Sequence, residues 1–253
     1  MGGDSAGVPW AGRSFRDNPD AADDGTAPER VIEAIRRFRA HEVGVAEVVE
    51  ALHDARLLLP LLASRGDEGI GAHGQVVDKT QELALVTAAG PDGRPCLPAF
   101  TSTETMRDWN ASARPIPIGV PRIALAVAGE GTPLIVIDPG SPTQFVLRRP
   151  SFRALATGEP WVPCFEDPDV LAAFLAASSD EEFLVAVQLA PGDPDARLAG
   201  AELLVQLSVR DGLAKDELDA MLGRLGERWA ADQLIADRVD SIGVVVERVL
   251  SGE

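Results

Sequence analysis

Hydrophobic positions in the first part of the chain recur at helical spacing and then give way to continuous apolar runs. Val31, Ile32, Ile35 and Phe38 share one stripe, which predicts an amphipathic helix that stops before Gly44. Thr26-Ala-Pro-Glu29 precedes it as a capping box, the threonine oxygen accepting from a free backbone donor and the glutamate reaching back. Val45, Val48, Val49 and Leu52 repeat the spacing to about Ala55, and the run Leu57–Leu62 reads as a buried strand. Leu83–Ala89 and Arg94–Phe100 flank Gly90-Pro-Asp-Gly93, a turn sequence that predicts a hairpin. Thr101-Ser-Thr-Glu104 is a second capping box, opening a helix with Met106 and Trp109 on nearly one face. Pro115–Ile118 follows as a short extended piece, and Val120–Ala128 as a helix closed by Gly129. Strands at Leu134–Ile137 and Gln144–Leu147 flank the turn Asp138-Pro-Gly140, and Ser151–Ala156 makes a helical turn ending at Gly158.

Pro160, Pro163 and Pro168 then cluster, and the pattern starts a new cycle. A helix is expected near Asp169–Ala177, and Phe183–Leu189 and Ala201–Val209 read as paired strands around Pro191-Gly-Asp-Pro-Asp195. Leu218, Leu222, Leu225 and Trp229 form the clearest amphipathic helix in the chain. Val239–Leu250 is a helix by the spacing of Val239, Ile242, Val246 and Val249, or a strand by its β-branched run; periodicity alone leaves both open. The fold class is α/β in the broad sense (α+β): a mixed sheet with flanking helices in two consecutive α/β halves. The expected divisions are an extended arm over 1–26, an α/β domain over 27–158 and a smaller α/β domain over 159–253. The arm lacks periodicity yet carries Trp10 and Phe15, large rings that bury well only against a groove. It packs on its own domain or serves a partner.

Composition narrows the class. The 253 residues are 45% hydrophobic and 25% charged, as in ordinary globular domains. The formal net charge of -17 opposes phosphate backbones and anionic lipid surfaces, so neither nucleic acid nor a membrane is an expected partner. Arg36, Arg37 and Arg39, and Arg148, Arg149 and Arg153, lie near glutamates in sequence and read as solvated faces. No apolar run approaches the roughly 20 residues that cross a bilayer. The first thirty residues hold Asp4, Arg13, Arg16 and Asp17 rather than an apolar leader, so a cytoplasmic protein is expected. Lysine occurs only at Lys79 and Lys215 amid abundant arginine and alanine, a bias of GC-rich bacterial genomes.

The search for chemistry finds little. The chain has no GxGxxG after a strand, no GxxxxGK[ST], no HExxH and no GxSxG. His41, His53 and His73 are not spaced to share a metal, and Cys96 and Cys164 form no CxxC pair, so no cofactor, metal or disulfide is expected. Both cysteines read as small buried hydrophobes, Cys96 having only Arg94 nearby to activate it. Asp167 with Asp169, and Asp180–Glu182, are acids where helix starts and loops usually carry them. Asp78-Lys79 ends a glycine-rich stretch, Ser64–Gln75, expected to be a loop, with Lys79 as an ion-pair or anion-binding candidate.

Pro9-Trp-Ala-Gly-Arg13, Asp23-Asp-Gly25, Ala55-Arg-Leu-Leu-Leu-Pro60, Asp78-Lys79, Leu134-Ile-Val-Ile-Asp-Pro139 and above all Leu97-Pro-Ala-Phe-Thr-Ser102 leading to Trp109 resemble the SseB-like family of bacterial proteins. The resemblance covers roughly residues 1–158. It implies a mixed α/β domain with no established catalytic residues and no cofactor. The expected function is a non-enzymatic regulatory or interaction module that binds a protein partner, or a second copy of itself, through an apolar face or the aromatic arm. Trp10, Phe15, Lys79, Arg94 and Trp109 are the candidate contact residues. The alternative is a small-molecule binder or an enzyme with a pocket near Ser64–Lys79. A deep pocket converging on Lys79, Arg94 and Cys96 favours the alternative; a flat exposed apolar patch favours the partner.

Overall fold

A computed structural model describes residues 23–62, 87–90 and 92–249. The first half runs α1 (Glu29–Arg39), α2 (Val45–Leu52), β1 (Arg56–Leu61), β2 (Ala88–Ala89), β3 (Pro95–Ala99), α3 (Thr103–Trp109), β4 (Arg114–Gly119), α4 (Val120–Glu130), β5 (Leu134–Ile137), β6 (Phe145–Arg148) and α5 (Arg149–Thr157). The second runs α6 (Pro168–Ser178), β7 (Leu184–Pro191), β8 (Leu203–Arg210), α7 (Lys215–Ala231), α8 (Gln233–Arg238) and β9 (Ile242–Val249). The fold is α+β with mixed sheets. No described helix is long and apolar enough to cross a membrane.

In the first half, β3 pairs in parallel with β5 and antiparallel with β2, and β6 closes the far edge antiparallel to β5. The antiparallel ribbon β1-β4 joins this sheet through a bridge between Leu58 and Phe100. Side-chain alternation divides the sheet. Leu97, Ala99, Ile135, Ile137, Phe145 and Leu147 face a core built with α1, α2, α4 and α5, while Cys96, Leu134, Val136 and Val146 face the other way. Phe38 of α1 meets Phe145 edge-on with ring centroids 5.5 Å apart. The Gly90–Gly93 turn forms as expected: the Gly90 amide donates to the Arg94 carbonyl over 2.8 Å, and Gly93 takes φ +82°.

Both capping boxes need correction. The Thr26 hydroxyl donates to Asp24 over 2.7 Å and caps nothing; Pro28 occupies the N-cap of α1, with its carbonyl accepting from Val31 and Ile32. The second box is displaced by one residue, Ser102 accepting from the Thr105 amide at 3.2 Å. Thr101 is diverted because its hydroxyl donates to buried Asp138 over 2.7 Å. Helix α4 also runs through Gly129 and ends at Gly131, whose φ of +70° suits a left-handed terminus.

The second half is a three-stranded sheet, β7 antiparallel and β9 parallel to β8. The segment left open as helix or strand is therefore a strand. Its β-branched run lies in register with β8 from Leu203↔Ile242 to Arg210↔Val249, a long-range pairing that outweighs the local helical spacing. Val205, Leu207 and Val209 meet Val170, Phe174, Met221, Leu225 and Trp229 in a separate core. The two halves interlock through the β7–β8 loop. The Ala196 carbonyl accepts from the Val146 amide at 2.8 Å, Ala196 enters the helix-side core, and Leu198 covers the opposite face of the same sheet. The loop thus wraps the edge of β6.

Candidate functional site

The wrapped edge ends in a buried cluster of charge. Arg148, the last residue of β6, donates to Asp193 over 2.8 Å, to Asp240 over 2.9 Å, to the Gly200 carbonyl over 2.9 Å and to Ser241 Oγ over 3.2 Å. Its guanidinium is thereby tied to the β7–β8 loop and to the entry of β9. Arg94 adds two bonds from Nη1 to Asp240, at 3.0 and 2.9 Å, and holds Asp92 at 2.6 Å. Asp193 is further filled by the amides of Arg197, Leu198 and Ala199, which fixes the loop that carries Leu198. Reading Arg148 as part of a solvated face fails because its partners are distant in sequence, whereas Arg149 and Arg153 are exposed as expected, Arg149 donating to the Ala236 carbonyl and Arg153 lying beside Glu159.

Glu202 lies next to this cluster and differs from it. The residue is 7% exposed, and its Oε2 accepts from the Asp240 amide at 2.6 Å. Among the described residues no donor uses its Oε1. Burial pushes the Glu202 carboxyl up to about 7, and the Asp240 charge pushes the same way against the Asp240 amide bond and the charges of Arg148 and Arg149. It lines a cavity of about 210 Å³ between the halves, walled by Phe38, Phe145, Trp161 and Phe165, which reaches the surface at His41 and Glu166.

A second opening, about 460 Å³, lies between α7, α8 and β9 and is lined by Leu222, Gly226, Trp229, Ile235, Ile242 and Val244 among others. Ile242 and Val244 are 37% and 41% exposed although they lie on the face of the sheet that carries the core. Trp229 is buried, and its indole Nε1 has no acceptor among the described residues.

The sequence candidates are scattered. Trp10, Phe15, Lys79 and the Ser64–Gln75 stretch lie outside the described residues. Arg94 belongs to the charge cluster. Trp109 is half-buried on Phe100, with ring centroids 5.3 Å apart, in a small cluster with Leu58 and Met106. Neither Arg94 nor Cys96 lines either cavity. Burial raises the Cys96 and Cys164 thiols, keeping them protonated and poorly nucleophilic. Three of the remaining acids have structural partners: Asp167 caps α6 and, with Asp169, takes Arg238, while Glu181 takes Arg224 and Arg228. Sequence reasoning missed Glu202, Asp193 and Asp240. The one local signal was Asp193 within the Pro-Gly-Asp-Pro-Asp loop.

The motif residues have a fold-level explanation. Asp138 is fully buried with φ +46° and accepts four hydrogen bonds of 2.7–2.8 Å, from the Thr101 amide and from the hydroxyls of Thr101, Thr105 and Thr143. It thus binds the end of β3 and the start of α3 to the turn after β5. No curated protein and no solved structure gives a significant match to the chain. Residues 30–154, which span α1 to α5 and include this turn, match the model of the SseB protein N-terminal domain, and through that domain the chain belongs to the SseB-like family.

Proposed function

We propose that the chain is a non-enzymatic interaction module acting in the cytoplasm, and that it takes up an extended, apolar segment of a partner protein beside β9. The observation that carries this reading is β9 itself, the last strand of its sheet among the described residues, with an apolar groove along one face. The Leu203 amide donates to the Ser241 carbonyl, so by parallel-ladder geometry Gly243, Val245 and Glu247 turn their backbone groups to β8. Ile242, Val244, Val246 and Arg248 then present theirs to the free edge. An eight-residue edge of sequence Ile-Gly-Val-Val-Val-Glu-Arg-Val carries charge only near its end, and such an edge is a template for strand addition. Side chains of the added strand would enter the groove beside Ile242 and Val244, where a backbone carbonyl could also satisfy Trp229 Nε1. The net charge of -17 disfavours a second copy as occupant and favours a segment with basic flanks.

Val244→Pro tests the reading, because it removes an edge donor while leaving the β8 ladder whole. Co-purification from native lysate is compared, by quantitative mass spectrometry, among the intact protein, Val244→Pro and a chain lacking residues 1–26. A photo-crosslinking residue at 244 locates the contact. The expected result is a partner lost with Val244→Pro and crosslinked through one short segment. Retention of every partner by Val244→Pro, or a crosslink from 244 to the chain's own residues 1–22, would sink the proposal.

A further inference from the structure

We infer that the cavity between the two halves is a binding site for a small organic amine, with the ammonium on Glu202 and its apolar body among Phe38, Phe145, Trp161 and Phe165. This site is independent of the β9 groove.

Three observations converge on that chemistry. The first is an unused acceptor. Glu202 is buried, its Oε2 is held by the Asp240 amide, and no described residue donates to Oε1. Oε1 is open to the cavity that Glu202 lines, where a ligand N–H can reach it. The second is the local balance of charge. Arg94 and Arg148 are paired with Asp92, Asp193 and Asp240, and Arg149 is bonded to the Ala236 carbonyl. Among the described residues Glu202 forms no salt bridge, and Glu166 adds a further acid at the surface side of the cavity. Arg39, which stacks near Phe38, is bonded to the Gln144 and Asp195 carbonyls and pairs with Asp195. The third is the wall. Aromatic faces beside a carboxylate are the surroundings in which ammonium ions are recognised.

Size selects the body. A cavity of roughly 150 Å³ accepts benzene, so about 210 Å³ suits one ring with a short amine arm. The one hydroxyl among the described lining residues, Ser151, donates to the Arg148 carbonyl at 2.8 Å. The proton balance is simple. The ammonium keeps its proton, and Glu202 releases one to solvent on binding whenever it starts protonated. The charged groups acting on it are Asp240 at the entry of β9, Arg148 of β6 and Arg149 of α5, and His41, Glu166 and Asp193 line the cavity with it.

The test is calorimetric titration of the full chain with three probes of similar shape: 2-phenylethylamine, 2-phenylethanol and 3-phenylpropionate. At pH 8.5 the amine is expected to bind at least roughly tenfold more tightly than the alcohol, with the carboxylate weakest. Because only the ionised carboxyl pairs with the ammonium, amine affinity should fall by roughly 30-fold between pH 8.5 and 5.5. Glu202→Gln should abolish the preference for the amine, and Phe165→Leu should weaken the amine more than the alcohol. A carboxyl-carbon NMR titration of the unmodified protein gives a second readout that needs no variant: the amine should lower the Glu202 midpoint. N-acetyl-lysine methylamide separates the sources of ammonium, and tighter binding of this probe would point to a protein lysine and overturn the small-molecule assignment. Equal affinities for the three probes, absence of binding, tighter amine binding on acidification, or a preference that survives Glu202→Gln would each overturn the proposal.

Discussion

The turn around Asp138 and the junction around Glu202 both bury a carboxyl group, and they treat it in opposite ways. Asp138 receives four short bonds, three of them from threonine hydroxyls within its own domain. Glu202 receives one, from an amide, while the arginines beside it are engaged by Asp193 and Asp240. Full satisfaction by neutral donors gives a fixed joint, and this joint coincides with the Leu-Pro-Ala-Phe-Thr-Ser and Leu-Ile-Val-Ile-Asp-Pro motifs of the family. Incomplete satisfaction beside a cavity leaves an acid whose charge responds to what arrives there. The motif therefore marks the scaffold, and the responsive group lies outside the family-matched residues 30–154.

The comparison breaks most forcefully at Arg148. Arg148→Met leaves buried Asp193 with its amide donors but no cation and Asp240 with Arg94 as its one cation, and removing one member of such a cluster typically costs about 3–5 kcal/mol. Urea denaturation should show a loss of that size, with the Leu198 and Ala196 contacts released from β6. A loss below about 1 kcal/mol would show that the halves are held without the Arg148 bonds.

The next effect is a pH dependence. Glu202 holds its proton more tightly in the folded state, at about 7 against an ordinary value of 4.5. Between those values the folded protein keeps a proton that the unfolded chain has lost. Its contribution to stability is full below about pH 4.5, declines as pH rises, and is gone above about 7. The difference is on the order of 3 kcal/mol. Groups shifted the other way, such as Asp23 beside Arg56 and Glu181 beside Arg224, act at lower pH and are common to both proteins. Subtracting the Glu202→Gln stability profile from that of the unmodified protein therefore isolates the slope. A difference that is flat from pH 4.5 to 7 would remove Glu202 as the responsive group.

Why the scaffold was readable and the junction was not follows from sequence distance. The stripe Val31, Ile35 and Phe38, the run Leu57–Leu59 and the Gly90–Gly93 turn are local patterns, and each forms the element that local physics predicts. The identity of β9 required its neighbour β8, which no window over Val239–Leu250 contains. The junction bonds span 45 residues from Arg148 to Asp193, 92 from Arg148 to Asp240 and 146 from Arg94 to Asp240. A single sequence shows only that these residues carry charge, and the exposed state is the default reading for an isolated charge.

Helix caps sharpen the same point at the smallest scale. Two boxes of the form Thr-x-x-Glu precede apolar stripes, and neither threonine caps a helix, for different physical reasons. At Thr26 the local acid Asp24 captures both the hydroxyl and the amide, and Pro28 already sets the entry to α1. At Thr101 the competitor is distant Asp138, and Ser102 takes over the cap. Ser102→Ala should then destabilise by about 1 kcal/mol, the usual loss for a missing N-cap, whereas Thr26→Ala at an exposed loop should stay within about 0.5 kcal/mol. Thermal unfolding of the two variants distinguishes the cases. A larger loss for Thr26→Ala would restore the sequence-level box, and equal small losses would mean that Asp138, through Thr101 and Thr105, holds the start of α3 without help from the serine.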